Sequence, residues 1–295
     1  MATNHPFQGT VLDSTQLMLG EGPSFDPISK RIGWLNIIGK ELHELDPASG
    51  EKNVTSLPFM ASVVAAIDAE RQLLGTEDGL FIRNRSTGEL SLHVDFEPNK
   101  PGNRSNDGRV HQSGALWIGT MGKKAEDGAG AIYHVAKGVV TTLFDAISIP
   151  NAICFSPDGA TAYFVDTNVN RLMKVALDPA TGLPTGAPSI FLDRSEDEGG
   201  IDGAVCDAEG NIWNARWGEG AVDRYDPTGR HTDHYELPAS KTTCPAFFAA
   251  SADRLLVTSA CEGLEDDEIK ANPMHGATFD LGITVKGRLD GIYRL

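Results

Sequence analysis

The chain has 295 residues, 40% of them hydrophobic and 22% charged, which is ample for a large buried core. Its formal net charge is −16 and its sequence pI about 4.8. That acidity argues against nucleic acid and membrane as partners, because both call for a basic surface. No apolar run approaches the roughly 20 residues of a membrane helix, and MATNHPFQGT lacks the basic start and apolar stretch of a signal peptide. Cys154, Cys206, Cys244 and Cys261 show no C-x-x-C spacing and have apolar neighbours. They read as reduced, buried small hydrophobes in a cytoplasmic protein.

In chain order the sequence repeats itself. Ser24-Phe25-Asp26-Pro27 leads to Ile32-Gly33-Trp34-Leu35 and then to Leu42–Asp46; Ala66–Glu70 leads to Gln72–Thr76 and Gly79–Ile82. Val110–Gly114 leads to Ala115–Gly119 and Gly130–Tyr133, and Ile153–Gly159 leads to Ala162–Asp166 and Leu172–Val175. A fifth copy runs from Gly199 through Asp202-Gly203 and the turn Asp207-Ala208-Glu209-Gly210 to Tyr225, and a sixth from Phe248 to Thr258. Each copy has short apolar or alternating runs, too short for helices, separated by turn residues. Asp-x-x-Gly is hairpin chemistry, because Gly accepts positive φ and Asp caps its own turn.

Trp34, Leu74, Trp117, Tyr163, Trp213 and Leu256 recur at one repeat position, roughly 40 to 50 residues apart, a propeller-blade period. The pattern predicts an all-β chain, residues 1–295 forming one six-bladed β-propeller of four-stranded antiparallel blades. A helical pattern is confined to Asp266–Asn272. Thr10-Val11-Leu12, Phe279-Asp280-Leu281 and Gly291–Leu295 read as strands, and closure by strands from both termini would remove the open edges.

The polar exceptions fall at equivalent places, just before or within each innermost strand. They are Glu21 in the first copy, Arg104, Asn106 and Asp107 in the third, Asn151 in the fourth and Asp202 in the fifth. Blade geometry sends these distant residues to one channel mouth. Two of these carboxylates, with the amide oxygens, form a hard-oxygen set suited to Ca²⁺, Mg²⁺ or Mn²⁺, and no thiolate or histidine accompanies them. No Gly-x-Ser-x-Gly elbow is visible, so a covalent acyl-enzyme is not expected.

With these motifs the sequence resembles the family of senescence marker protein (regucalcin) and gluconolactonase, the sugar-lactone hydrolases. The resemblance rests on Leu19-Gly20-Glu21-Gly22-Pro23, Arg104-Ser105-Asn106-Asp107-Gly108, Gly119-Thr120-Met121, Pro150-Asn151-Ala152, Ser156–Gly159, Asp202-Gly203 with Asp207–Trp213, and Lys241–Cys244. It implies a six-bladed propeller with one divalent cation held by Glu21, Asn151 and Asp202. Ca²⁺ comes first, with Zn²⁺, Mn²⁺, Mg²⁺ or Fe²⁺ as alternatives. It also implies that Arg104 and Asn106 face substrate hydroxyls, that Asp202 takes the acid/base role, and that the substrate is a small sugar lactone such as gluconolactone or a pentonolactone. A monomer or weak homodimer is expected. One departure stands out: Gly122-Lys123-Lys124 follows Met121 where animal members place a glutamate, so no residue of that loop is assigned a role. Two rival readings share the fold: a calcium-dependent phosphotriesterase or aryl esterase, and a non-catalytic calcium-binding propeller.

Overall fold

The aspartate turns close as their sequence predicts. Asp26, Asp46, Asp207 and Asp226 each accept the backbone N–H two residues on through Oδ1, at 2.8, 2.8, 2.9 and 2.9 Å. In a computed structural model, which describes residues 2–295, these turns join short strands into six four-stranded antiparallel sheets. The sheets form the predicted six-bladed propeller. Its inner strands are Gly20–Phe25, Ala61–Ala66, Asn103–Val110, Pro150–Phe155, Gly200–Cys206 and Thr242–Phe248.

The core lies between blades. Six apolar layers each join neighbouring blades, such as Trp117 and Ile132 of the third against Ile153, Phe155 and Phe164 of the fourth. The repeat position marked by Trp34, Leu74, Trp117, Tyr163, Trp213 and Leu256 is buried in every blade. At roughly 1.5–3 kcal/mol for burying one such side chain, these layers dominate stability. Circular closure uses both ends of the chain: Thr10–Asp13 pairs antiparallel with Thr278–Asp280 as the outer strand of the sixth blade. The short helix Asp266–Ala271 forms where expected, begun by a capping box between Glu265 and Glu268.

Two features differ from expectation. Thr3–His5 adds to the fifth blade, parallel to His231–Glu236. Gly291–Leu295 is not a strand. Instead the tail meets carbonyls or amides of five blades in turn: Val285 N donates to Asp253 O, Lys286 O accepts from Ala208 N, Arg288 Nη1 donates to Ser156 O, Gly291 N to Val110 O and Tyr293 N to Ala66 O. These partners are spread across blades rather than aligned along one edge, so no ladder can form. An alternating apolar pattern alone does not reveal that difference.

One irregularity is shared by all six inner strands and positions the site. Pairing with the second strand slips between Glu21 and Ser24, Ala61 and Val63, Ser105 and Gly108, Asn151 and Cys154, Ile201 and Ala204, and Thr242 and Pro245. A bulge frees residues from the ladder and re-aims their side chains. Glu21, Asn106, Asp107, Asn151 and Asp202 all sit within or directly beside these bulges. Gly22 there takes φ +54°, and a Cβ on Gly203 would meet Cys244 Cα at 2.8 Å, so glycine is required for the close approach of blades five and six.

Candidate active site

The bulges open onto a cavity of about 400 Å³ at one mouth of the channel. Glu21, Arg104, Asn106, Asn151 and Asp202 all line it, so the structure brings together every predicted site residue. In the second and sixth blades the same register carries hydroxyls that tie the channel wall together. Ser62 Oγ donates to Ser105 Oγ at 2.7 Å, and Thr243 Oγ1 to Gly20 O at 2.5 Å.

A chain of hydrogen bonds fixes the amides. Arg104 Nη1 donates to Asn106 Oδ1 (2.7 Å), Asn106 Nδ2 to Asn151 Oδ1 (2.9 Å) and to Pro150 O (3.0 Å), and Asn151 Nδ2 to Thr167 Oγ1 (3.0 Å). Thr167 Oγ1 in turn donates to Ile201 O at 2.7 Å, next to Asp202. The relay crosses blades three, four and five and leaves the Asn151 oxygen, not its nitrogen, as the group available for ligation. Asn106 spends its N–H groups on this relay. Arg104 has guanidinium donors to spare for an incoming oxygen.

The carboxylates are short of positive charge. Burial, reinforced by the nearby Asp107 charge, pushes the Glu21 carboxyl up to about 8. Burial, then the charges of Glu21 and Asp107, raises Asp202 well above the usual carboxylate range. Asp107 is also raised by burial, although Arg109 offsets part of it. Its oxygens accept Gly108 N (2.8 Å) and Ile153 N (2.7 Å), which makes it a brace between blades three and four. Neither Glu21 nor Asp202 has an ion-pair partner among the described residues. Buried like charges disfavour joint ionisation unless a cation is supplied, so the residues present fit a divalent ion. The donor set, two carboxylates and one amide oxygen, is the kind hard cations take.

Thr167, Glu262 and Trp217 also line the cavity and carry no signal in the sequence, and Lys123 and Lys124 line it with them. The unusual Gly122-Lys123-Lys124 stretch was the one available signal, and it proves to be the rim. A second cluster, Asp223, His231 and His234 in the fifth blade, brings ligand-type atoms within 4.8 Å of one another. Its charges are already matched. His234 Nδ1 and His231 Nε2 lie 2.7 and 3.0 Å from Asp223 Oδ1, Tyr225 Oη donates to Oδ2 at 2.8 Å, and Arg216 and Arg194 approach at 3.6 and 3.7 Å. Burial alone would raise the Asp223 carboxyl, but the hydrogen bonds from His231 and His234 outweigh it and hold the group well below its usual range. Two neighbouring guanidinium groups make this a poor place for a further cation.

A six-bladed propeller with a carboxylate-floored cavity of mixed polar and apolar lining at one channel mouth is a candidate small-molecule site. The chain matches the SMP-30/Gluconolactonase/LRE-like region over residues 19–261 and belongs to that family. A Rhizobium meliloti protein, provisionally named sugar lactone lactonase, is 56% identical over 98% of each chain. The crystal structure of a calcium-binding protein, regucalcin, from Agrobacterium tumefaciens is 64% identical, covers 100% of both chains and superposes with a TM-score of 0.99. The L-arabinolactonase of Azospirillum brasilense is 31% identical, covering 93% of this chain and 92% of its own. No helix among the described residues is long and apolar enough to cross a membrane.

Proposed function

We propose that the chain is a metal-dependent sugar lactonase that opens the ester ring of aldonolactones to aldonic acids. The observation that carries this reading is the convergence of Glu21, Asn151, Asp202 and Arg104 on one cavity. Glu21, Asn151 and Asp202 hold the cation, with Ca²⁺ first among the candidates. Such an ion would supply Lewis-acid polarisation of the lactone carbonyl and a lowered pKa for water held there.

The remaining work falls to the chain's own side chains. Asp202 accepts the proton of the attacking water, then returns it to the leaving ring oxygen. Arg104 donates to sugar hydroxyls and fixes the lactone's orientation, a positioning effect that converts directly into rate. Asn106 keeps Arg104 and Asn151 in register. Trp217, Met121 and Ile149 supply apolar walls against the sugar ring faces.

A pH-indicator assay with aldonolactones, paraoxon and phenyl acetate, with and without EDTA, tests the reading. Aldonolactones should be the preferred substrates, and chelation should abolish their turnover. Preference for paraoxon or phenyl acetate, or lactone turnover indifferent to chelation, would contradict it.

A further inference from the structure

The geometry points to Lys124 as a specificity residue that makes this site select sugar lactones carrying a negatively charged group on the terminal carbon, away from the ring carbonyl. The inference rests on the lactonase reading and refines its substrate class. Its basis is the charge pattern around the cavity. Glu21 and Asp202 lie on the floor with no ion-pair partner among the described residues. Burial weakens the basicity of Arg104, and the nearby carboxylates Glu262, Glu21 and Asp202 offset part of that cost. Lys123 Nζ and Lys40 Nζ share one carboxylate, Glu77, at 2.6 and 3.5 Å. Lys124 lines the cavity with no ion-pair partner for its ammonium among the described residues.

The loop that presents Lys124 is built rather than loose. Ala125 N donates to Gly122 O at 2.8 Å, closing a tight turn with Ala125 at φ +55°. The neighbouring acid, Glu126, spends Oε2 on the backbone N–H of Lys124 at 3.1 Å instead of on its ammonium. Lys123 is tied down twice, by Glu77 and by Pro101 O at 3.1 Å. The second lysine is thereby left on the cavity rim.

In a chain of net charge −16, the background potential repels anions. On the rim, Glu77 holds Lys123 and, further out, Lys40, while Lys124 and Glu262 line the cavity with no ion-pair partner among the described residues, so Lys124 is the rim's unpaired positive group against that background. A neutral aldonolactone offers this rim only hydroxyl acceptors, without charge. A lactone ending in a carboxylate can lay its ring carbonyl toward the floor and its anion toward Lys124, in a charge-assisted hydrogen bond.

Gluconolactone and glucarolactone of the same ring size differ only in a terminal hydroxymethyl against a carboxylate, so their kcat/KM ratio isolates the charge. The wild type should favour glucarolactone, and Lys124→Met should cut the ratio about five-fold through KM rather than kcat, the scale of a partly exposed charge pair. Lys124→Arg should retain the preference, and added salt should erode it in the wild type. A ratio unchanged in Lys124→Met, or lost as fully in Lys124→Arg, overturns the inference while gluconolactone turnover leaves the lactonase reading standing. Absence of turnover on both lactones removes the lactonase reading and this refinement with it.

Discussion

Two charged clusters in this propeller look alike on paper and differ in physics. At the channel mouth, Glu21 and Asp202 are buried beside Asp107 with no paired cation, and their carboxyls are pushed up. In the fifth blade, Asp223 is equally buried but surrounded by two histidines, a tyrosine and two arginines, and its carboxyl is pulled down. The second cluster has the more familiar metal-ligand residues, yet its charges are complete without an ion. The first has fewer such residues and a charge deficit. Charge balance, rather than residue type, is what makes the first cluster the candidate for a cation and the second a part of the fold's own bracing.

The largest expected effect breaks the first cluster. Asp202→Asn keeps the side chain's size and one oxygen donor but removes the anion and the basic group. It should still bind the cation, more weakly, and its lactonase kcat at saturating metal should fall by roughly 10²–10⁴. Recovery of full kcat by excess metal would leave Asp202 as a ligand only.

A smaller effect concerns Arg104. Arg104→Ala should lower kcat/KM for polyhydroxy lactones by about 1–3 kcal/mol in transition-state terms, because substrate hydroxyls lose their donor. Simple unsubstituted lactones should suffer far less. Equal losses on both substrate types would make Arg104 a brace for the Asn106–Asn151 relay alone.

How much of this was legible beforehand follows from which contacts are periodic. The six copies, the aspartate turns and the buried Trp117-type position repeat along the chain, so the propeller and its inner strands could be read directly. Glu21, Asn106, Asn151 and Asp202 were legible because polar residues interrupt apolar strands at one register. The bulges that aim them were not, since a slipped ladder leaves no pattern in a single strand. Glu262 sits in a polar loop, where a charged residue looks like ordinary solvated surface, and Lys124 stands out only as part of an unusual stretch whose role the sequence does not give. Asp223 and His234 become neighbours only through cross-strand register, and the tail from Leu281 onward is held by backbone carbonyls and one amide spread over five blades.

The smallest effect lies in the second cluster and depends on pH. The hydrogen bond to Asp223 raises the His234 pKa above its ordinary value. A raised pKa means the charged histidine stabilises the fold fully below the unfolded value of about 6.5. That contribution fades as pH rises through the folded value. His234→Asn should therefore cost a few tenths of a kcal/mol up to about 1 kcal/mol at pH 5.5, and less at pH 9, in denaturant melts. A cost that grows toward alkaline pH would contradict the assignment.

Calorimetric titration of Ca²⁺ into chelator-stripped protein addresses the contrast between the clusters most directly. Three proteins suffice: the wild type, Asp202→Ala, and a variant carrying both His231→Ala and His234→Ala. The account predicts one calcium site per chain in the wild type, its loss in Asp202→Ala, and its survival in the double histidine variant. Calcium binding that survives Asp202→Ala but vanishes with the two histidines would place the ion in the fifth blade and contradict the account.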